Sequence, residues 1–144
     1  MTARAGICPS DGRGAEDTGN FVNAMAGAAT QVSIVTTNGA AGRFGVTVSA
    51  FASVSAEPPL VLVCINSKNP AITAIEQNDS FCVNLLGQDQ SPLADCFAGR
   101  PGIHRPYDFT SADWAAGATG APVLLDATAS FDCRVETVYT AGTH

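Results

Sequence analysis

Lysine is nearly absent from this sequence, and charged residues as a whole are scarce. The 144 residues include a single lysine, Lys68, and seven basic residues against 13 acidic ones, which gives a net charge of -6. General nucleic-acid binding requires clusters of Lys and Arg to neutralise phosphates, so this composition argues against that class of protein. Because 46% of the residues are hydrophobic and only 14% are charged, a disordered acidic chain is excluded as well.

Long apolar runs are also missing. The longest uninterrupted one, Leu60 to Ile65, is far too short to cross a bilayer, and the first twenty residues lack the apolar core of a secretion signal. The cysteines are odd in number and form no close pair, and only two histidines accompany them, so we expect free, buried thiols in a reducing cytoplasm and no metal site. The five cysteines are Cys8, Cys64, Cys82, Cys96 and Cys133.

Several motifs that carry chemistry do not occur. No GxGxxG or GxxxxGK[ST] phosphate loop is present, which argues against a Rossmann dinucleotide site and against a P-loop. There is also no GxSxG or HExxH motif. A Ser-His-Asp hydrolase built around His104 is arithmetically possible and is kept as a remote alternative.

The pattern of apolar residues predicts a mainly β protein. Residues 1–19 are rich in Gly, Pro, Asp and Ser and predict a mobile tail, followed by one domain over residues 20–144 whose first helix is capped by Asn20. Apolar and hydroxyl-bearing residues alternate from Arg43 to Ala56, which predicts one long, bent strand with an apolar face and a hydroxyl face. Further strands are predicted at 32–37, 60–65 (buried on both faces), 80–86 and 127–139, short helices at 69–78 and 91–99, and a long connection at 100–122.

These elements predict an antiparallel β-barrel with two or three short flanking helices. Five or six strands joined mostly by short turns favour a closed or nearly closed sheet. The sequence stops at a turn-like segment directly after the last predicted strand, so we expect C-terminal strands of the barrel to be missing.

Polar residues at strand ends form the candidate site. Thr47, Ser49 and Ser53 belong to the predicted hydroxyl face, and Asn66-Ser67-Lys68 directly follows an apolar strand. Hydroxyl, amide and ammonium groups together suit a phosphate, although the same residues also suit a merely solvated sheet face. An aromatic wall for a flat ligand and arginines for a second phosphate-bearing ligand are open alternatives to core and surface roles; the candidates are Phe51, Phe97, Trp114, Arg100 and Arg105.

The sequence resembles the flavin reductase family. The resemblance covers about residues 21–144 and is carried by the strings VSIVTT, GVTVSAFASVSAEPPLVLVCIN, SFCVNLL, FAGR and WAAGATGAPVL. It implies an antiparallel split β-barrel of the Greek-key, FMN-binding type, and a homodimer that binds FMN or FAD and uses NAD(P)H. The implied chemistry is hydride transfer between the cofactors, with the protein supplying placement and electrostatics.

The resemblance also implies which residues contact the ligands. His144 matches a histidine associated with nicotinamide binding in some relatives, and Thr143 stands where those relatives have Asp. Gln31 stands where many relatives have glycine, and is expected to crowd the approach of the backbone to the ring. The implied flavin contacts are Thr30, Gln31, Val32, Thr47, Ser49, Ala50, Phe51, Ser53, Cys64, Asn66, Ser67, Lys68, Phe97, Ala98 and Gly99.

The function expected from this resemblance is an NAD(P)H:flavin oxidoreductase that delivers reduced flavin to a partner monooxygenase. No catalytic side chain, nucleic-acid partner or membrane partner is expected. The alternative is a split barrel that binds flavin without catalysis, which is suggested by Gln31 and by the expected loss of C-terminal strands.

Overall fold

The structure, a computed structural model, describes residues 15–144 and divides into two units after Thr30. The first unit contains the helix α1 (Ala15–Ala26). The prediction that Asn20 caps this helix is wrong, because Asn20 lies inside it; the preference of Asn for a cap is weak enough to be overridden by its neighbours. Of the predicted tail, residues 15–19 belong to α1, and residues 1–14 lie outside the described residues.

The second unit, residues 31–144, is mainly β, and its described strands form three antiparallel sheets. A four-stranded sheet has the order β2-β1-β5-β8, and two smaller sheets consist of β3-β4 and β6-β7. The strands are β1 (Ser33–Thr37), β2 (Phe44–Val48), β3 (Phe51–Ala56), β4 (Pro59–Val63), β5 (Ser80–Leu85), β6 (Trp114–Ala116), β7 (Pro122–Leu124) and β8 (Ala129–Arg134).

Two short helices cover the two faces of the four-stranded sheet. They are α2 (Ala71–Asn78) and α3 (Ser91–Phe97), and both lie close to the positions predicted from the sequence. Because side chains of a strand alternate between faces, Val35 of β1 packs in the cluster that contains α2, whereas Ile34 packs in the cluster that contains α3. The sheet is therefore buried on both sides at its centre.

A buried asparagine joins three strands beneath α3. Asn84 of β5 is fully buried, and its Nδ2 donates to the carbonyl of Ile34 at 3.1 Å and to that of Pro122 at 3.4 Å. Its Oδ1 accepts the N–H of Leu124 at 2.8 Å and the hydroxyl of Ser130 at 3.0 Å. A buried amide is stabilising only when its polar atoms are hydrogen-bonded. Both Nδ2 and Oδ1 of Asn84 meet this condition.

The predicted long strand over 43–56 is two strands in different sheets. The expected bend falls at Ser49–Ala50, between β2 and β3, where the chain leaves the four-stranded sheet. Val46 and Val48 are buried as predicted, but in β3 the apolar residues Ala52, Val54 and Ala56 are exposed. The predicted apolar face is thus wrong beyond the bend, because β3 pairs only with β4 and its outer face has no covering layer among the described residues.

Three other predictions differ from the structure, and the first differs for the same lack of a covering layer. The strand at 60–65 is not buried on both faces, since Leu62 of β4 is 45% exposed. The strand predicted over 127–139 ends at Arg134. The predicted connection 100–122 is interrupted by a 3₁₀ turn, Phe109–Ser111, and by β6.

The expectation of buried cysteines holds only in part. The four described cysteines are free; Cys82 and Cys96 are buried, Cys133 is half-buried and Cys64 is exposed. Cys8 lies outside the described residues. Within residues 15–144, no helix has the length and apolarity needed to cross a membrane, and no group of three potential metal ligands occurs.

Candidate functional site

The bend between β2 and β3 meets the end of β4. The N–H of Cys64 donates to the carbonyl of Ala50 at 3.0 Å, which holds the bend against the residue that follows β4. Ser49, Ala50 and Cys64 are all exposed. The two segments that the resemblance implies as flavin contacts are therefore in direct contact at this point.

The loop after β4 is fixed by short-range hydrogen bonds and by the C-terminal turn. Asn66 Oδ1 accepts the N–H of Lys68 at 3.0 Å, a local turn typical of Asn. The N–H of Ser67 donates to the carbonyl of Thr143 at 2.9 Å. This bond joins Thr143, the residue before His144, to the loop that carries Lys68. The C-terminal turn and this loop are therefore adjacent, although they lie far apart in the sequence.

Four polar side chains around the bend and this loop have no partner within residues 15–144. Ser49, Ser53, Ser67 and Lys68 are exposed, and their side chains make no hydrogen bond or ion pair within residues 15–144. Together they offer three hydroxyls and one ammonium to a ligand. Hydroxyl and ammonium donors are the chemical groups that suit the polar edge and the phosphate of a flavin nucleotide.

Thr47 differs from the other predicted hydroxyl residues because its side chain is hydrogen-bonded within the protein. Its Oγ1 donates to the carbonyl of Ala94 in α3 at 2.7 Å, and the side chain is half-buried. The hydroxyl is thus engaged in attaching α3 to β2. Thr47 positions the helix next to the bend rather than presenting a free donor.

The FAG segment at the end of α3 contributes backbone and not an aromatic side chain. The Phe97 side chain is fully buried and packs edge-to-face on Phe109, with ring centroids 4.9 Å apart. Ala98 is exposed, and Gly99 has φ of +61°, a left-handed conformation that favours glycine. A Cβ at Gly99 would also collide with the hydroxyl of Tyr107.

The segment before β1 is held by the side chain of Gln31. Its Nε2 donates to the carbonyl of Leu86 at 2.9 Å and to that of Val32 at 3.1 Å. The carboxamide therefore lies over the end of β5, which gives no support to the expected crowding of a ring. Thr30 is exposed and ends the first unit.

The aromatic candidates belong to packed clusters. Phe51 is half-buried against Phe131, with ring centroids 5.4 Å apart. The Trp114 ring packs on Phe97 and Phe109, and its Nε1 is buried with no partner within the described residues. Of these three aromatic residues, only Phe51 directly follows the bend in the sequence.

The basic residues of the 100–105 region form surface ion pairs. Arg100 pairs with Asp95 at 3.1 Å, and Arg105 pairs with Asp108 at 3.8 Å. His104 is exposed and has no hydrogen bond to a serine or an aspartate within residues 15–144, so no Ser-His-Asp triad is assembled there.

The sequence did not single out two features of this region. Arg43 lies over the ring of Phe109, with 4.0 Å from the guanidinium carbon to the ring centroid. A shallow acidic cleft of about 360 Å³, away from the predicted site residues, is lined by Asp89, Gln90, Pro92, Leu93, Ser111, Ala112, Asp113, Leu125 and Asp126. Neither has a linear sequence signal, because each assembles residues from separate segments.

Perturbed pKa values occur mainly at β5 and β8, away from the loop of Lys68. Burial, followed by the charge of Asp132, raises the pKa of Cys82 to about 12. Burial also raises the pKa of Cys133. Hydrogen bonds from Thr110 lower the pKa of Asp108. None of these groups is one of the predicted site residues.

The fold is similar to that of solved flavin reductases. BorF, the flavin reductase component of a bacterial two-component tryptophan halogenase, has a structure with TM-score 0.78 and 35% identity, covering 89% of this chain and 80% of that one. NADH:FAD oxidoreductase SgcE6 of Streptomyces globisporus, solved with NAD and FAD fragments, has TM-score 0.79 and 30% identity over 90% of this chain and 76% of that one.

Sequence comparison gives the family itself. Residues 25–144 match the model of the flavin reductase like domain, so the chain belongs to that family. It is 44% identical over 125 residues to an FMN reductase (NADH) RutF of Bradyrhizobium diazoefficiens, an alignment that covers 87% of this chain and 68% of that protein.

Proposed function

We propose that this protein is an NAD(P)H-dependent flavin reductase that takes FMN or FAD and supplies reduced flavin to a partner monooxygenase. Family membership and the named relatives support the reaction class. The observation that carries the proposal is the exposure of four donors that are unpaired within residues 15–144, at Ser49, Ser53, Ser67 and Lys68.

The residues divide by the part of the flavin that they suit. The ammonium of Lys68 and the hydroxyl of Ser67 suit the phosphate, because charge-assisted hydrogen bonds to phosphate are the strong ones. The hydroxyls of Ser49 and Ser53 suit the polar edge of the ring or the ribityl chain. Cys64, Ala50 and the backbone of residues 97–99 would complete the walls.

The C-terminal turn is assigned to the nicotinamide. The bond between Ser67 and Thr143 supports a position for His144 beside the loop that carries Lys68. Thr143 Oγ1 and His144 Nδ1 are 2.9 Å apart, which fixes the orientation of the imidazole. When bound, the nicotinamide and the flavin supply the chemistry by hydride transfer between them, and the side chains bind and orient.

We also propose that the protein acts as a homodimer with a closed split barrel. The β3-β4 sheet leaves Val54 56% exposed and Leu62 45% exposed, and Ala52 is paired with Leu62 in the same sheet. Adjacent apolar side chains exposed on one sheet are characteristic of a surface that another chain covers. The free cysteines among the described residues favour a reducing cytoplasm.

The reaction is tested by mixing purified protein with NADH and FMN without oxygen and following the flavin absorbance. We expect the absorbance band of FMN to bleach much faster than in the same mixture without protein. FAD should bleach equally fast if the site accepts its adenylate. Bleaching no faster than in the protein-free mixture contradicts the proposal. Quenching of flavin fluorescence without NADH oxidation would instead support the non-catalytic flavin binder.

The site is tested by removing the hydroxyls that carry the argument. The double variant Ser49→Ala, Ser53→Ala is expected to weaken FMN binding about tenfold, since two hydrogen bonds of about 1 kcal/mol or less each are lost. The matched control is Ser91→Ala, because Ser91 is also exposed and its hydroxyl has no partner within residues 15–144, but it lies at the start of α3. An equal loss of FMN affinity in the double variant and in the control would show that Ser49 and Ser53 do not contact FMN.

A further inference from the structure

The side chain of Gln31 supplies a hydrogen bond between β1 and β5 at the point where their backbone pairing ends. The register of β1 and β5 ends at Ser33 opposite Leu85. One residue further, the N–H of Leu86 donates to the carbonyl of Val32 at 3.0 Å. The carbonyl of the same Leu86 accepts Gln31 Nε2 at 2.9 Å, so a side chain supplies the second bond of this rung.

The same amide nitrogen also holds its own neighbour. Gln31 Nε2 donates to the carbonyl of Val32 at 3.1 Å, and both acceptors lie on the β5 side of the chain. The first residues before a strand usually fray because few bonds hold them. Here the carboxamide attaches that segment to the end of β5 through the carbonyl of Leu86, while its bond to the carbonyl of Val32 is local and orients the side chain.

The segment held in this way borders the candidate flavin site. Ser33 lies opposite Val48 in the antiparallel pair of β1 and β2. The same register continued by one residue brings Val32 next to Ser49, at the bend that Cys64 contacts. Gln31 holds the backbone of Val32 on the side that faces β5. The other side of this backbone faces β2 and the bend.

We propose that Gln31 is a positioning residue for flavin binding, acting through the backbone of Gln31 and Val32. This inference rests on the proposed flavin site. The side chain does not crowd the ring; it takes the place of a missing backbone bond and holds one wall of the site at a constant distance from Ser49. The residue determines how well flavin binds and has no part in the hydride transfer itself.

The test uses riboflavin, which carries no phosphate and therefore isolates the ring and ribityl contacts. In Gln31→Met, which keeps the length but not the donor, we expect the KM for riboflavin to rise about tenfold with kcat within about twofold. Gln31→Lys restores a donor of similar reach and should return the KM to within about threefold of the wild type. Gln31→Glu places a third acceptor beside two carbonyls and should be at least as impaired as Gln31→Met.

The control is Gln90→Met. Gln90 makes the same kind of bonds elsewhere, since its Nε2 donates to the carbonyl of Asp126 at 3.2 Å and its Oε1 accepts the N–H of Gly87 at 2.7 Å. Its loss should lower the thermal midpoint by a similar amount and leave the KM for riboflavin unchanged. An unchanged KM in Gln31→Met, or an equal rise in Gln90→Met, would overturn the inference.

A spectroscopic reading separates this inference from the proposed function. The circular dichroism of bound riboflavin reports how the ring is held, and it should change in Gln31→Met and recover in Gln31→Lys. Should the wild type bind riboflavin without oxidising NADH, the reductase proposal fails, and fluorescence quenching by the same variants still tests Gln31.

Discussion

Hydroxyl residues that look equivalent in the sequence have separate duties in the structure. Thr47, Ser49 and Ser53 were predicted as one ligand-binding face, yet Thr47 donates to a helix carbonyl at 2.7 Å while the two serines stay unpaired within the described residues. The distinction depends on which element packs above each residue. Residue type and period alone cannot supply it, because α3 follows β2 by more than forty positions.

The ammonium of Lys68 is predicted to select phosphorylated flavins. In Lys68→Ala we expect the Kd for FMN to rise about tenfold and that for riboflavin by less than about twofold, because only FMN loses a charge-assisted contact. The FMN effect should shrink at high salt, since Lys68 is exposed. The control is Arg134→Gln, which removes one exposed cation from β8. Equal losses for FMN and riboflavin would exclude a phosphate role.

The thiol of Cys82 makes stability fall at alkaline pH. Burial and Asp132 raise its pKa to about 12 from an ordinary value of 9.0, so the unfolded chain releases this proton first. The contribution is complete below about pH 9 and is lost progressively up to about pH 12. Urea unfolding at about pH 8 and about pH 11 should show a steeper loss of free energy of unfolding in the wild type than in Cys82→Ala. Equal slopes in the two proteins would contradict this assignment.

At the scale of elements, the sequence predicted most helices and strands but not which sheet each strand joins. The alternation from Arg43 to Ala56 is interrupted only by Gly45 and Phe51, whereas the chain changes sheets at Ser49–Ala50. Burial follows the partner layer, so the pattern predicts faces correctly in β2 and wrongly in β3. The short strands β6 and β7 have three residues each, too few to show a period.

The contact between β2 and α3 requires a residue without a side chain. A Cβ at Gly45 would lie 2.6 Å from Phe97 and 3.1 Å from Phe109, both atoms of packed rings. Gly45→Ala should therefore cost about 1–3 kcal/mol in free energy of unfolding, measured with urea. Gly87→Ala is the matched control, because its Cβ would meet atoms only at 3.6 Å or beyond. A Gly45→Ala protein as stable as Gly87→Ala would show that α3 can shift freely.

At the scale of the whole molecule, the family was recognisable from five sequence strings, whereas the site depends on contacts between distant segments. The bond between Ser67 and Thr143 joins positions 76 residues apart, and no period or motif announces it. Likeness to a family indicates which residues to examine. The structure shows that the Phe97 side chain is fully buried, and that the exposed side chains of Ser49, Ser53, Ser67 and Lys68 have no partner within the described residues.

The exposed face of the β3-β4 sheet predicts the oligomeric state. A charge placed there, as in Leu62→Asp, should convert a dimer into a monomer in sedimentation velocity, because an unpaired carboxylate would be buried in the interface. Leu125→Asp is the control, since Leu125 is 65% exposed and lines the acidic cleft instead. A wild type that sediments as a monomer at every concentration would refute the dimer.

The carboxamide of Asn84 has a consequence for how the amide protons of β7 exchange with solvent. A three-residue strand would ordinarily open often and lose its protons quickly. The N–H of Leu124, however, is bonded to Asn84 Oδ1 at the fully buried centre of β5, so its release requires the separation of strands some forty residues apart. In native-state hydrogen–deuterium exchange, Leu124 should therefore be as slow as the amides of β5, and in Asn84→Ala it alone should become fast.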